Sequence, residues 1–152
     1  RLNNIEGEQM EIICDMRELD KIAYELHKKL FPKITEGIEI PIRSTQLYML
    51  YYIRTNSECM VTDIANYLGV TLGAVTSLVD RLHDFGLVKR SRSEMDRRQV
   101  IIRLSEGGEE LLKKIDIRRK EILGYYLKDM NQEEIIYFSN MMEKIIMKIL
   151  NS

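Results

Sequence analysis

Cysteine and histidine each occur only twice in these 152 residues, and that scarcity excludes several kinds of chemistry together. Cys14 and Cys59 stand far apart with no CxxC spacing, so neither a disulfide framework nor a thiolate metal centre has its residues, and a reducing, cytoplasmic setting is expected. His27 and His83 have no second His or Cys at helical ligand spacing, so no metal and no cofactor is expected. A Gly-rich phosphate loop and a nucleophile–base motif are also missing, which leaves no catalytic residue to nominate and argues against an enzyme. No apolar run approaches the length of about 18 residues that a membrane-spanning helix requires. The first residues lack the basic, apolar and small-residue order of a secretory signal. No membrane partner is expected.

The apolar share of 45% and the charged share of 31% are those of a globular chain, and the length suits one domain with appended helices. A net charge of −1 argues, as a total, against nucleic acid. Its distribution reverses that. Arg81, Lys89, Arg90, Arg92, Arg97, Arg98 and Arg103 fall in one short stretch against Asp84, Glu94 and Asp96, an excess of four positive charges on an otherwise acidic chain. Such a stretch fits a polyanionic partner, although a solvated charged hairpin would look the same, and position has to decide.

Along the chain, Ile12, Met16, Leu19, Ala23, Leu26 and Leu30 recur at alternating spacings of four and three, predicting a long amphipathic helix over 5–31 that Pro32 breaks. Ser44 or Thr45 is placed to cap a helix reaching about Arg54. In 61–82, VTDIANYLGVTLGAVTSLVDRL, Thr62 and Thr71 are placed to cap two short helices separated by Gly69. The segments 87–92 and 99–105 predict two short strands of a hairpin with a polar tip. Ser105 then caps a helix that Gly107 and Gly108 weaken in its first turn, and Asn131 caps a last one carrying Ile135, Phe138, Met142, Ile145 and Ile149. There is no internal repeat and no low-complexity linker.

A helix-turn-helix needs a small residue where its helices cross, a residue tolerant of positive φ in the turn, and apolar residues locking both helices to a core. Ala65, Gly69, and Ile64, Leu68, Val70, Val75 and Leu78 supply these. Steps of about 100° place Val75, Leu78, Val79 and Leu82 on the core face of the second helix. Gly73, Ser77, Asp80 and Asp84 then lie opposite, with Thr76 and Arg81 on the flanks. Small and hydroxyl residues there allow close approach to phosphates and base edges, and Arg81 is the long-range donor. Asp80 would repel phosphate and is expected to pair with Arg81 or a wing arginine.

The run Asp96-Arg97-Arg98, five residues, then Leu104-Ser105 resembles the D-x-R wing signature of the MarR family of regulators, with Ser105 in place of the usual threonine. LVDRLHDFGLVKR (78–90) is similar to that family's recognition helix entering its first wing strand. The resemblance implies a mainly α fold with a small β-hairpin wing. A winged helix-turn-helix domain at 44–104 is flanked by dimerisation helices at 1–43 and 105–152. It implies that Arg98 enters the minor groove with Asp96 holding its side chain. The candidate DNA-binding set is Thr71, Gly73, Thr76, Ser77, Arg81, Arg92, Arg97 and Arg98, with Asp96 as wing support. Ile12, Met16, Leu19, Phe138, Met142, Ile145 and Ile149 are the candidate dimer interface. The implied function is a repressor, a homodimer on double-stranded DNA with a pseudo-palindromic operator, released by a small aromatic effector.

Tyr24, Tyr48, Tyr51, Tyr52, Met16 and Met49 are candidates for an effector pocket, or for ordinary core. Cys14 fits either redox sensing or inert packing. One branch of the family senses peroxides through a cysteine near this place, but Glu18 stands where that branch has a tyrosine. The contending class is a winged-helix protein–protein adaptor, which would lack salt-sensitive binding to duplex DNA.

Overall fold

The structure, a computed structural model, describes residues 2–93, 96 and 98–150, with side chains for 17–93, 96 and 98–148. Its elements are α1 (Leu2–Ile34), α2 (Ser44–Asn56), β1 (Cys59–Met60), α3 (Val61–Leu68), α4 (Leu72–Asp84), β2 (Val88–Arg92), β3 (Val100–Leu104), α5 (Glu106–Tyr126) and α6 (Gln132–Leu150). The chain forms two compact units, Arg1–Asp116 and Ile117–Ser152.

In the first unit an antiparallel sheet of order β1-β3-β2 backs a helical core. Val88 pairs with Leu104 and Arg92 with Val100, which closes the hairpin. Cys59 pairs with Ile102 on the other edge of β3. The core joins Leu47, Leu50 and Ile53 of α2 to Ile64 of α3, Val75, Val79 and Leu82 of α4, Ile102 of β3 and Leu112 and Ile115 of α5, all essentially inaccessible to water. Burial of such side chains, at about 1.5–3 kcal/mol each, is the main favourable contribution to folding.

Several local features differ from the sequence-based expectations. Pro32 lies inside α1, which continues to Ile34. The carbonyl that Pro32 deprives of a donor is that of exposed Lys28, which water can serve, and the Thr35 amide and hydroxyl both bond the Phe31 carbonyl, at 3.1 and 3.0 Å. α2 is capped by neither Ser44 nor Thr45: its N-cap is Arg43, whose amide donates to Gln46 Oε1 at 2.9 Å. Thr62 does not cap α3 either, since Met60 is the N-cap and its amide donates to Asp63 Oδ2 at 2.8 Å. In both cases a longer side chain three residues on reaches back to the first free amide. Val70 does not join the core and is 36% exposed, while Leu68 and Leu78 are half-buried.

Of the two glycines at the start of α5, Gly108 proves to be required by packing and Gly107 is tightly packed. A Cβ on Gly108 would overlap the Leu87 carbonyl oxygen and come within 2.7 Å of Leu104 Cδ1, and one on Gly107 would sit 3.1 Å from the Gly86 carbonyl oxygen. Ser105 Oγ accepts from the Gly108 amide at 3.0 Å, the cap expected there, and donates to the Gly86 carbonyl at 2.5 Å.

The second unit holds the rest of α5 and α6. Asn131 caps α6 as expected, accepting from the Glu134 amide at 2.9 Å while its own amide donates to the Glu134 carboxylate at 2.8 Å. Every described side chain of α6 is exposed, including Phe138, Met142 and Ile145. In α1, Leu19 is 41% exposed. The side chains of Ile12, Cys14, Met16 and Ile149 lie outside those described.

Candidate nucleic-acid interface

The turn between α3 and α4 is built from residues that leave the second helix free to project. Gly69 takes φ 65° and ψ 34°, the left-handed conformation that favours glycine, and the Val70 amide closes back on the Ala65 carbonyl at 3.2 Å. Thr71 caps α4, its hydroxyl accepting from the Ala74 amide at 3.3 Å. At the far end the Leu87 amide bonds the Leu82 carbonyl and the Gly86 amide the His83 carbonyl, with Gly86 at φ 71°. This double closure turns the chain from α4 into β2.

With Val75, Val79 and Leu82 buried, α4 presents Leu72, Gly73, Thr76, Ser77, Asp80 and Arg81 to solvent. Thr76 Oγ1 donates to the Leu72 carbonyl at 2.9 Å and Ser77 Oγ to the Gly73 carbonyl at 3.1 Å. Each hydroxyl proton is therefore spent on the helix, and the oxygens face outward as acceptors. The Arg81 guanidinium lies 5.8 Å from the centre of the Phe85 ring. Asp80 is paired with Arg90 of β2, a wing-strand arginine, so its charge is answered within the protein.

On the hairpin, Lys89, Arg92 and Arg98 are exposed. Arg103 is held by Glu58 and Ser91, which fastens both strands to the turn before β1. At the tip the Arg98 backbone amide donates to Asp96 Oδ1 at 3.0 Å, and the Gln99 amide bonds the Asp96 carbonyl at 2.9 Å. The described contact of the Asp96 carboxylate is thus with the backbone of Arg98, setting the course of the loop. Arg97 lies outside the described residues. Sequence reasoning missed Leu72 as an exposed residue of this face, and the ties made by Arg90 and Arg103. The wheel places Leu72 between Val79 and Thr76, at the border of the buried row, so period alone did not reveal its exposure.

The remaining candidates separate. Met49 is fully buried core. Tyr51 donates to Asp116 at 2.5 Å beside Arg54, whose guanidinium that carboxylate holds above its usual pKa. Tyr52 stacks on Tyr67 at 4.3 Å, and Tyr24 lies beneath the Lys28 ammonium at 5.6 Å. A cleft of about 290 Å³ is walled by residues 37–40, Phe85, Leu87, Gly107, Glu110, Leu111 and Lys114, and among the described residues none of Tyr24, Tyr48, Met49, Tyr51 and Tyr52 lines it. Cys59 lies in β1, and burial followed by Asp63 pushes its thiol pKa up, the opposite of an activated thiolate. Among the described residues no cluster of His, Cys, Asp and Glu could hold a metal ion, and no helix is long and apolar enough to cross a membrane.

A capped, outward-facing second helix beside a basic hairpin defines a winged helix-turn-helix protein of the kind that binds duplex DNA. Residues 42–100 match the family model described as MarR family. The HTH-type transcriptional regulator YfiV of Bacillus subtilis is 34% identical over 80 residues, covering 53% of this chain and 50% of that protein, so the chain spans half of that relative. The HTH-type transcriptional repressor MdtR of the same organism is 26% identical over 131 residues, covering 86% of this chain and 84% of its own. A solved MarR family protein from Bacillus stearothermophilus has a TM-score of 0.73 at 27% identity, covering 90% of this chain and 96% of that one. Over residues 42–100 the chain is therefore similar to the MarR family, and the relatives it matches are named HTH-type transcriptional regulators.

Proposed function

We propose that the protein is a cytoplasmic, homodimeric repressor that binds a pseudo-palindromic operator, with residues 44–104 as the DNA-reading domain and 1–43 and 105–152 as dimerisation helices. The observation that carries the DNA reading is the exposed face of α4, where capped Thr71, Gly73, Thr76, Ser77 and Arg81 lie outward while Asp80 is neutralised by Arg90 of the wing. Arg92, Arg97 and Arg98 supply phosphate and minor-groove contacts, and Asp96 sets the loop that carries Arg98. Dimerisation is supported by α6, whose Phe138, Met142 and Ile145 form a row of exposed large apolar side chains, as an interaction surface does. Leu19, and on the sequence pattern Ile12, Met16 and Ile149, are the further residues proposed for dimerisation. The repressor reading follows the named relative MdtR, and release by a small aromatic molecule completes it.

The test is binding of the purified protein to bulk duplex DNA and to a selected operator across a salt series, with sedimentation of the free protein. Steep weakening with salt and a dimer at micromolar concentration are expected. A monomer, or a protein with no duplex affinity to lose, overturns the proposal. Such a protein would instead be a winged adaptor.

A further inference from the structure

Leu72 is the first residue of α4 and is 52% exposed, at the end of a recognition helix that enters the groove first. It lies outside the buried row of Val75, Val79 and Leu82, and one turn on along the same edge stands exposed Thr76. The hydroxyl proton of Thr76 is bound to the Leu72 carbonyl at 2.9 Å, and that of Ser77 to the Gly73 carbonyl at 3.1 Å. At this end of the helix, then, the outward side chains offer hydrocarbon and oxygen lone pairs but no N–H donor. Arg81 is two turns further on, against Phe85.

Guanine presents only acceptors to the major groove and is read by arginine or lysine donors. Thymine presents a methyl group, and adenine and cytosine present an amino donor. We infer that Leu72 and Thr76 read thymine methyl groups in each half-site, with Leu72 as the principal specificity-determining residue. Resting on the DNA-binding reading above, this names the base feature which that face recognises. The apolar side chain left in water at the tip of the reading helix is covered by the methyl group of the base.

The test replaces each thymine singly by deoxyuridine in the tightest duplex recovered from a random-sequence pool. Deoxyuridine removes only the methyl group and keeps the base pair. One or two thymines per half-site are expected to matter, each weakening binding about fourfold, the worth of one buried methyl-sized group. Leu72→Ala should bind the thymine and deoxyuridine duplexes equally at the leading position. Leu72→Met, which keeps the hydrocarbon, and Thr76→Val, which exchanges the hydroxyl for a methyl group, should retain the preference. The salt slope on bulk DNA, which counts phosphate contacts, should be the same in all of these variants because none of them alters a charge. If no thymine matters, or if Leu72→Ala keeps the full preference, the inference is overturned, while a preserved salt slope leaves the DNA-binding reading standing. Absence of duplex binding by the wild type overturns both.

Discussion

Replacing Gly108 with alanine sets two opposed effects against each other at one atom. Within a helix the substitution is ordinarily favourable, because alanine is better there by about 1 kcal/mol. Here the added carbon meets the Leu87 carbonyl oxygen and stands 2.7 Å from Leu104 Cδ1 and 3.1 Å from Leu104 Cγ. A leucine methyl can swing away, but a carbonyl that begins the hairpin cannot, because the Leu87 oxygen also accepts from the Ser105 amide at 3.1 Å. Overpacking of this kind costs about 1–3 kcal/mol and occasionally more. A backbone collision belongs at the upper end, so the net loss after the gain in propensity is roughly 1–2 kcal/mol. For a chain of this length that corresponds to a fall in Tm of about 2–8 °C. Urea and thermal unfolding at fixed protein concentration, followed by circular dichroism, measure it. Gly124→Ala, on the same helix with open space around its Cβ, is the matched control and should raise stability. A Gly108→Ala protein as stable as that control, or more so, would refute the close approach of α5 to Leu87.

Gly73→Ala should leave stability unchanged or slightly raised, since no atom lies within 4 Å of the added carbon, yet weaken operator binding by filling the approach to DNA; paired unfolding and anisotropy titrations separate the two. Arg98→Ala should cost about 1–3 kcal/mol of operator binding and reduce the salt slope, with Asp96→Ala giving a milder loss, and unchanged affinity and slope in a folded dimer would remove the wing from DNA reading. Ile145→Asp or Leu19→Asp should weaken dimerisation and DNA binding together, as read by sedimentation and titration at matched concentration. Cys59 should resist thiol reagents in the folded protein at pH 8 and react on unfolding, because burial raises its pKa. By the same sign the folded state holds that proton to higher pH than the unfolded chain. Its contribution to stability is therefore complete below the ordinary thiol pKa of about 8.5 and declines as pH rises above it, as unfolding across an alkaline pH series would show.

What was legible in the sequence was whatever depends on period and on residue type within one turn of helix. The row Val75, Val79 and Leu82, the caps Thr71, Ser105 and Asn131, and the left-handed turn at Gly69 all belong to that class. The misreadings came where the deciding partner was either a longer side chain or distant in sequence. Gln46 and Asp63 cap by reaching back three residues, a pattern hidden by the hydroxyl residues beside them. β1 is two residues long and exists only because β3 has a free edge, so no alternation could reveal it. Gly107 and Gly108 look like poor helix formers until the carbonyls of Gly86 and Leu87 are placed against them. At the site, the exposed face of α4 was readable from the wheel, whereas the Asp80–Arg90 pair was open between two partners until the hairpin placed Arg90.

Ser105 gives the molecule a mechanical property beyond its role as a cap. One oxygen holds the Gly108 amide at the root of α5 and, through its own proton, the carbonyl of Gly86, where α4 hands the chain to the hairpin. Gly107 and Gly108 bring the same root against that carbonyl and the next. The base of α5 and the tail of α4 therefore behave as a single pivot with almost no compressible material between them. A displacement of the first turn of α5 is expected to register at the C-terminal end of α4, through Ser105 and the Gly86 carbonyl. Alanine at 105 would leave two backbone groups unserved in the joint and replace a rigid coupling with a slack one.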